Sequence, residues 1–117
     1  MPLIEIKSNV EPDNLELHLS SLTKNMAKSL GKPEQIMSVS FEKVFMLFGG
    51  STDPTASVKV YSIGSLSSEQ NKVHCQIIFK FLQEVLNVDK GRAYIAFIPL
   101  ERTHTGFRGT TVDDLIL

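Results

Sequence analysis

The chain of 117 residues holds a single cysteine, Cys75, and no tryptophan. A lone thiol makes no internal disulfide, so the fold is compatible with a reducing cytosol. Excess charge is missing as well, because 12 Lys and Arg stand against 13 Asp and Glu, a formal net charge of -1. Without a basic stripe to neutralise phosphates, nucleic acid is not expected as a partner. Without a run of like charge, no disordered arm is expected either. The longest apolar run, "AYIAFIPL", falls far short of the ~20 residues of a membrane span, so membrane insertion is not expected. The first residues lack the basic segment, apolar stretch and small-residue cleavage site of a secretory signal. No Asn-x-Ser/Thr acceptor site occurs. The expectation is a soluble, cytoplasmic protein of one domain, 1–117.

The familiar catalytic constellations are equally scarce. His18, His74 and His104 share no metal-ligand spacing, and solvated or partly satisfied histidines are the better reading. The "GGS" at Gly49–Ser51 lacks the Lys-Ser/Thr and the helix that a phosphate loop needs, so it reads as a turn. Cys75 falls inside a helical pattern with no base nearby in sequence and reads as packing. No Ser-His-Asp arrangement can be argued from spacing. No metal and no cofactor are expected.

What is present is a pattern that occurs twice. Pro2–Lys7 alternates as a strand with Ile4 and Ile6 on one face. A helix follows from about Asn14 to Leu30, with Leu15, Leu19, Leu22, Met26 and Leu30 on one stripe. Asp13 with Glu16 has the spacing of a capping pair, and Gly31 before Pro33 is a stop signal. The alternating "MSVSFEKV" comes next, with Met37, Val39 and Phe41 on one face. After the loop "FGGSTDPT" the order repeats. "ASVKVYSI" alternates, with Val58 and Val60 opposite Lys59 and Tyr61. A helix from about Ser68 to Leu86 carries Val73, Ile77, Ile78, Phe81, Val85 and Leu86 on its apolar side, and Ser67 with Gln70 has capping-box spacing. "RAYIAFIPL" reads as a fourth strand buried on both faces or at an interface.

The two halves superpose at an offset of about 55 residues. Each is strand, helix, strand, and neither can bury its helix alone. The expected fold is therefore α/β, a two-layer sandwich of two βαβ repeats, with a four-stranded sheet and two helices on one face. Its other face would show Leu3, Tyr61, Ile63 and Ile98, too apolar for a solvated surface, which points to an oligomer whose sheets pack together. The C-terminal "GFRGTTVDDLIL" fits neither repeat. It reads as an arm toward a neighbouring subunit or as a disordered end.

Two residues have chemistry left over. Pro2 is a tolerated first residue of a strand. If the initiator methionine is trimmed, as is usual before a small residue, its ring nitrogen becomes a free secondary amine. An α-amino group titrates near ~7.7–8.0, and burial or a neighbouring cation lowers that value. Such an amine is largely neutral near pH 7 and can act as a general base. Lys32 is either a cation at the negative end of the first helix or an ammonium that pairs with a substrate carboxylate.

"MPLIEIKSNV", "LGKP", "FGGSTDP", "YSIGSLS", "RAYIAFIPLE" and "GFRGTT" together resemble the macrophage migration inhibitory factor and D-dopachrome tautomerase family over essentially the whole chain, in order and spacing. "MPLIEI" and "FIPLE" look more like the D-dopachrome tautomerase branch, "FGGSTDP" and "GFRGTT" more like the inhibitory-factor branch. The resemblance implies a homotrimer around a central channel and a cofactor-independent keto–enol tautomerase whose base is the N-terminal proline, here Pro2. It implies that Lys32 holds the substrate carboxylate and that Ser62 and Ile63 form the wall beside the proline. It further implies that Tyr94 is a pocket tyrosine given by the adjacent subunit, and that Phe107 stands where one branch has a tryptophan. The substrates implied are phenylpyruvate-like aromatic keto acids or dopachrome-like compounds.

The sequence departs from the family at three places. Ala96 stands where many inhibitory factors have a ligand-binding asparagine, and Ile36 replaces an aromatic rim residue. Thr55 and Val58 occupy the positions of the family's Cys-x-x-Cys, so thiol–disulfide chemistry is not expected. Members of the family also act as secreted, cytokine-like mediators that leave the cell without a signal peptide. The alternative is thus a cell-surface receptor ligand with vestigial catalysis, and the plainest reading is a small ligand-binding module.

Overall fold

Alternation at the start of the chain builds the centre of the sheet. In the computed structural model, which describes residues 2–116, β1 spans Leu3–Ser8 with Ile4, Ile6 and Ser8 buried and Leu3, Glu5 and Lys7 facing outward. The remaining strands are β2 (Ser38–Lys43), β3 (Ala56–Ser62) and β4 (Ala93–Pro99). Their order is β2-β1-β3-β4. β1 runs parallel to β2 and β3 parallel to β4, while β1 and β3 pair antiparallel at the centre. Each repeat is therefore a parallel β-α-β unit, and the two units join through their first strands. The helices are α1 (Leu15–Leu30) and α2 (Ser68–Leu86). One core unites Ile4, Ile6, Val58 and Val60 of the sheet with Leu22, Met26, Leu30, Ile78, Leu82 and Leu86 of the helices. The expected two-layer sandwich of two βαβ repeats is what the chain forms.

The helix ends show which local signals were used. Ser67 caps α2 with a complete capping box, its hydroxyl accepting from the Gln70 N–H and the Gln70 side chain accepting from the Ser67 N–H. The corresponding pair before α1 is not formed. α1 begins at Leu15, and Asn14 stands ahead of it in the left-handed region (φ 57°) without a side-chain cap. A residue in that conformation turns its side chain away from the helix amides, so Asp13 and Glu16 have no frame to cap. At the other end, Gly31 adopts φ 67°. Its N–H donates to the Lys28 carbonyl at 3.2 Å, and the Lys32 N–H donates to the Ala27 carbonyl at 3.0 Å. This double closure is the Schellman motif, and it fixes the backbone of Lys32.

Three expectations change. On α2 the buried stripe is His74, Ile78, Phe81, Leu82 and Leu86, while Val73 is 50% exposed. At 100° per residue, the stripe through Ile78 and Leu82 passes through position 74 and leaves Val73 on the flank. β4 is an edge strand with Tyr94 and Ala96 exposed within the chain, so of the two expectations for it, burial on both faces gives way and a place at an interface stays open. Finally, the C-terminal stretch is fastened to its own chain. Gly106–Phe107 and Thr110–Thr111 pair as the hairpin β5–β6. Its turn residues Arg108 and Gly109 have φ of 53° and 82°, as a two-residue type I′ turn requires. Val112 is buried, and the Arg102 guanidinium donates to the carbonyls of Val112 and Leu115.

The open face of the sheet is less uniformly apolar than expected. Leu3, Tyr61 and Ile98 lie in one cross-strand row, but the next rows hold Glu5 with Lys59 and Ala96, then Lys7 with Ser57 and Tyr94. Ile63 lies beyond the end of β3 and is not part of this face. The apolar row is confined to the end of the sheet where Pro2 enters.

Candidate functional site

Pro2 is buried, immediately ahead of β1. Its carbonyl accepts the Ser38 N–H at 3.1 Å, which ties it to the start of β2. On its other side the register Leu3↔Tyr61, extended by one residue, sets Pro2 across from Ser62. Proline contributes no N–H to the ladder, so at this row the strand end is held through the carbonyl alone. The ring nitrogen is left without a structural task in the sheet.

Ser62 closes β3 on the helix-facing side and is fully buried. Its carbonyl accepts the Leu100 N–H at 2.8 Å, but its hydroxyl has no hydrogen-bond partner among the described residues. Buried hydroxyls without a partner are uncommon, and this one lies in the row of Pro2. Ile63 follows, half-buried, and then Gly64 and Ser65, both left-handed at φ 76° and 62°.

Lys32 reaches the same end of the molecule by a short path. From the Schellman turn the chain passes through Pro33 and a single 3₁₀ turn, Glu34–Ile36, into β2, whose first residue, Ser38, holds the Pro2 carbonyl. Lys32 and Ile36 are half-buried on this connection. Pro2, Ser62, Ile63 and the Lys32 connection thus come together at one end of the sheet.

The chain does not bring Tyr94 to them. Tyr94 pairs with Ser57, which pairs with Lys7. Five residues along β1 at ~3.3 Å each separate that row from Pro2. Tyr94 is 74% exposed on the open face, with its ring 5.5 Å from that of Phe48. Ala96 is exposed on the same face. Phe107 sits in the β5–β6 hairpin, half-buried, with the Arg108 guanidinium 5.0 Å over its ring.

Other chemical groups have structural roles. Cys75 is half-buried, and burial raises its thiol above the ordinary value, the opposite of an activated nucleophile. Thr55 and Val58 are buried; the Thr55 hydroxyl donates to the Arg92 carbonyl at 2.6 Å and its N–H to Asn9 Oδ1 at 3.0 Å. No group of three or more metal-ligating side chains occurs among the described residues, and no helix among them is long and apolar enough to cross a membrane.

Two side chains have structural roles that the sequence did not assign. His74, read from the sequence as solvated or partly satisfied, is completely buried and is bound on both ring nitrogens, to the Ser29 hydroxyl and the Ser65 carbonyl. Arg92 gathers the loop before β3, donating to the carbonyls of Phe48, Ser51, Asp53 and Pro54. The helical position of His74 on the core stripe was the readable signal for the first. The second had none, since its partners are backbone atoms some 40 residues away in the chain.

Comparison with known proteins extends this geometry. A family profile described as "Macrophage migration inhibitory factor (MIF)" matches residues 1–113. A macrophage migration inhibitory factor of Xenopus laevis is 35% identical over 113 residues, covering 95% of this chain and 98% of that protein. A D-dopachrome decarboxylase of Mus musculus is 38% identical over 118 residues, covering 96% and 98%. Among solved structures, a macrophage migration inhibitory factor homologue from Prochlorococcus marinus superposes with a TM-score of 0.90 at 30% identity, covering 94% of this chain and 98% of that one.

Proposed function

The chain belongs to the macrophage migration inhibitory factor family, and from that premise we propose that it is a cofactor-independent keto–enol tautomerase with the Pro2 amine as its general base. The observation that carries the reading is the setting of Pro2, buried and pinned through its carbonyl to Ser38 with its nitrogen unused by the sheet. Removal of Met1 frees that nitrogen as a secondary amine. Burial disfavours its protonated form, so it accepts a proton near neutral pH.

The reaction needs little else. The amine takes a proton from the carbon next to the substrate carbonyl, and the electron pair of the broken C–H bond moves to the carbonyl oxygen as an enolate. Return of a proton to that oxygen gives the enol, with no net oxidation and no co-reactant. The Lys32 ammonium pairs with the substrate carboxylate and sets the reacting carbon at the amine. Ser62 and Ile63 wall the site on the β3 side. A relative named for D-dopachrome chemistry supports an aromatic substrate of the phenylpyruvate or dopachrome type. Tyr94 lies on a distant row of the sheet and serves such a site only when a neighbouring subunit supplies it; Phe107 is the aromatic side chain proposed for its rim. The homotrimer is therefore part of the proposal, supported by the apolar row Leu3–Tyr61–Ile98 at the same end of the open face.

Enolisation of phenylpyruvate tests the assignment. Lys32→Ala is expected to raise KM about tenfold while leaving kcat near its original value, as for the loss of one charge-assisted contact made in both ground and transition states. An unchanged KM removes Lys32 from the site. A second reading, a secreted mediator that binds a cell-surface receptor, draws on the relatives named as migration inhibitory factors. Receptor binding by a Pro2→Gly protein separates the two, since a signalling role independent of chemistry leaves that binding intact.

A further inference from the structure

From α2, His74 touches the last turn of α1, the loop after β3 and the strand β4. The Ser29 hydroxyl lies 2.5 Å from its Nδ1. Its Nε2 lies 2.8 Å from the carbonyl oxygen of Ser65. Its ring lies 5.9 Å from that of Phe97 on β4. A carbonyl can only accept, so Nε2 carries a proton; in the neutral imidazole Nδ1 is then the acceptor and the Ser29 hydroxyl donates.

A hydroxyl on an imidazole is also the arrangement of an activated nucleophile, and Ser29 opens onto a groove of about 830 Å³ between the two helices. Ser29 lies within α1, however, where backbone N–H groups are engaged in the helix. Its backbone N–H groups are therefore not free to form the oxyanion hole that such chemistry relies on. The pair does mechanical work instead.

Its two ends fall on the two walls of the candidate site. Ser29 is in the last turn of α1, three residues before Lys32. Ser65 is two residues after Ile63 and is a non-glycine residue held at φ 62°. That conformation is sparsely populated and persists where surrounding contacts over-determine it. The His74 bond to the Ser65 carbonyl is such a contact.

We infer that His74 is a positioning residue that fixes the Lys32 end of α1 relative to the Ser62–Ile63 wall and thereby sets how the site holds a substrate carboxylate against Pro2. This rests on the roles of Pro2 and Lys32 proposed above.

The test compares wild-type protein with Ser29→Ala, His74→Leu and His74→Gln, using phenylpyruvate and its uncharged methyl ester as substrates and amide hydrogen exchange over residues 63–67. Ser29→Ala and His74→Leu are expected to raise KM for the acid about five- to tenfold, the effect of one or two lost hydrogen bonds, with kcat changed less than about twofold. KM for the ester, which makes no ion pair with Lys32, stays within about twofold. Both variants exchange faster over residues 63–67. Glutamine can donate to the Ser65 carbonyl and accept from Ser29, so His74→Gln regains most of the acid KM. Ser29→Ala removes one hydroxyl from a half-buried site and keeps the test open if His74→Leu does not fold. Equal KM shifts for acid and ester, or unchanged exchange in Ser29→Ala, overturn the inference. Failure of the tautomerase reading is a different result: wild-type protein then enolises neither substrate faster than Pro2→Gly, and unchanged exchange still overturns the brace.

Discussion

The N–H of Ser38 donates to the carbonyl of Pro2 at 3.1 Å. Through this bond the first described residue is held by the strand that follows Lys32, so the proposed base and the proposed carboxylate anchor share one short stretch of backbone. The pairing is local in space and almost entirely non-local in sequence. It exists because β1 and β2 are parallel neighbours joined by α1, and the helix must end where the sheet begins for the connection to stay short.

The end of α1 is accordingly sensitive. Gly31 holds φ 67° with nothing within 4 Å of an added Cβ, so Gly31→Ala meets backbone strain and no steric clash. The expected loss is about 1 kcal/mol of folding stability, read from the urea midpoint. KM for phenylpyruvate should rise with it, because Lys32 loses the closure that fixes its backbone.

Arg92 offers a large effect on stability from a polar side chain. Its guanidinium serves four carbonyls at 3.0–3.2 Å and lies 5.4 Å over the Phe48 ring. Lysine cannot reproduce a planar fork of donors. Arg92→Lys should cost about 2–4 kcal/mol in equilibrium unfolding, since several partly buried acceptors lose their donors at once.

Most of the fold was legible because its signals are local. The alternation of Ile4 and Ile6, the capping box of Ser67 and Gln70, and Gly31 ahead of Pro33 each depend on neighbours within a few residues. The failures came where tertiary contacts decide. Val73 reads as core by composition, yet His74 takes the buried position because Ser29 and Ser65 satisfy both its nitrogens. Asp13 and Glu16 have the right spacing for a cap, and the left-handed turn at Asn14 removes the geometry. Of the candidate site, Pro2, Lys32, Ser62 and Ile63 were named through resemblance and not through any local pattern, and they lie at one end of the sheet. That Tyr94 stands at the far end of the sheet follows from the β3–β4 register, which no pattern along the chain displays.

The tyrosines give a pH-dependent readout free of tryptophan, since the chain has two tyrosines and none of the latter. Partial burial, and then the adjacent Glu5 carboxylate, which repels a phenolate and favours the protonated hydroxyl, raise Tyr61 above its ordinary value. The native state thus holds this proton more tightly than the unfolded state. The corresponding stability is present below the unfolded tyrosine pKa and is lost as pH rises through the native one. In a spectrophotometric titration, Glu5→Gln should move the Tyr61 step to lower pH, and an unmoved step contradicts the assigned cause.

Ser62 makes an opposite kind of prediction. Its hydroxyl is buried and unpartnered among the described residues, so Ser62→Ala removes a desolvation penalty and no hydrogen bond. Folding stability should stay level or rise by up to about 1 kcal/mol. A loss of that size in thermal unfolding shows instead that the hydroxyl has a partner.

Everything proposed for the site depends on the Pro2 nitrogen acting as the base. The most direct measurement of that role is the enolisation rate of phenylpyruvate by protein whose intact mass shows Met1 removed, set against Pro2→Gly protein processed in the same way. In Pro2→Gly, kcat/KM is expected to fall by about a hundredfold or more, the usual scale for loss of a general base, with unfolding midpoints unchanged. Equal rates in the two proteins contradict it.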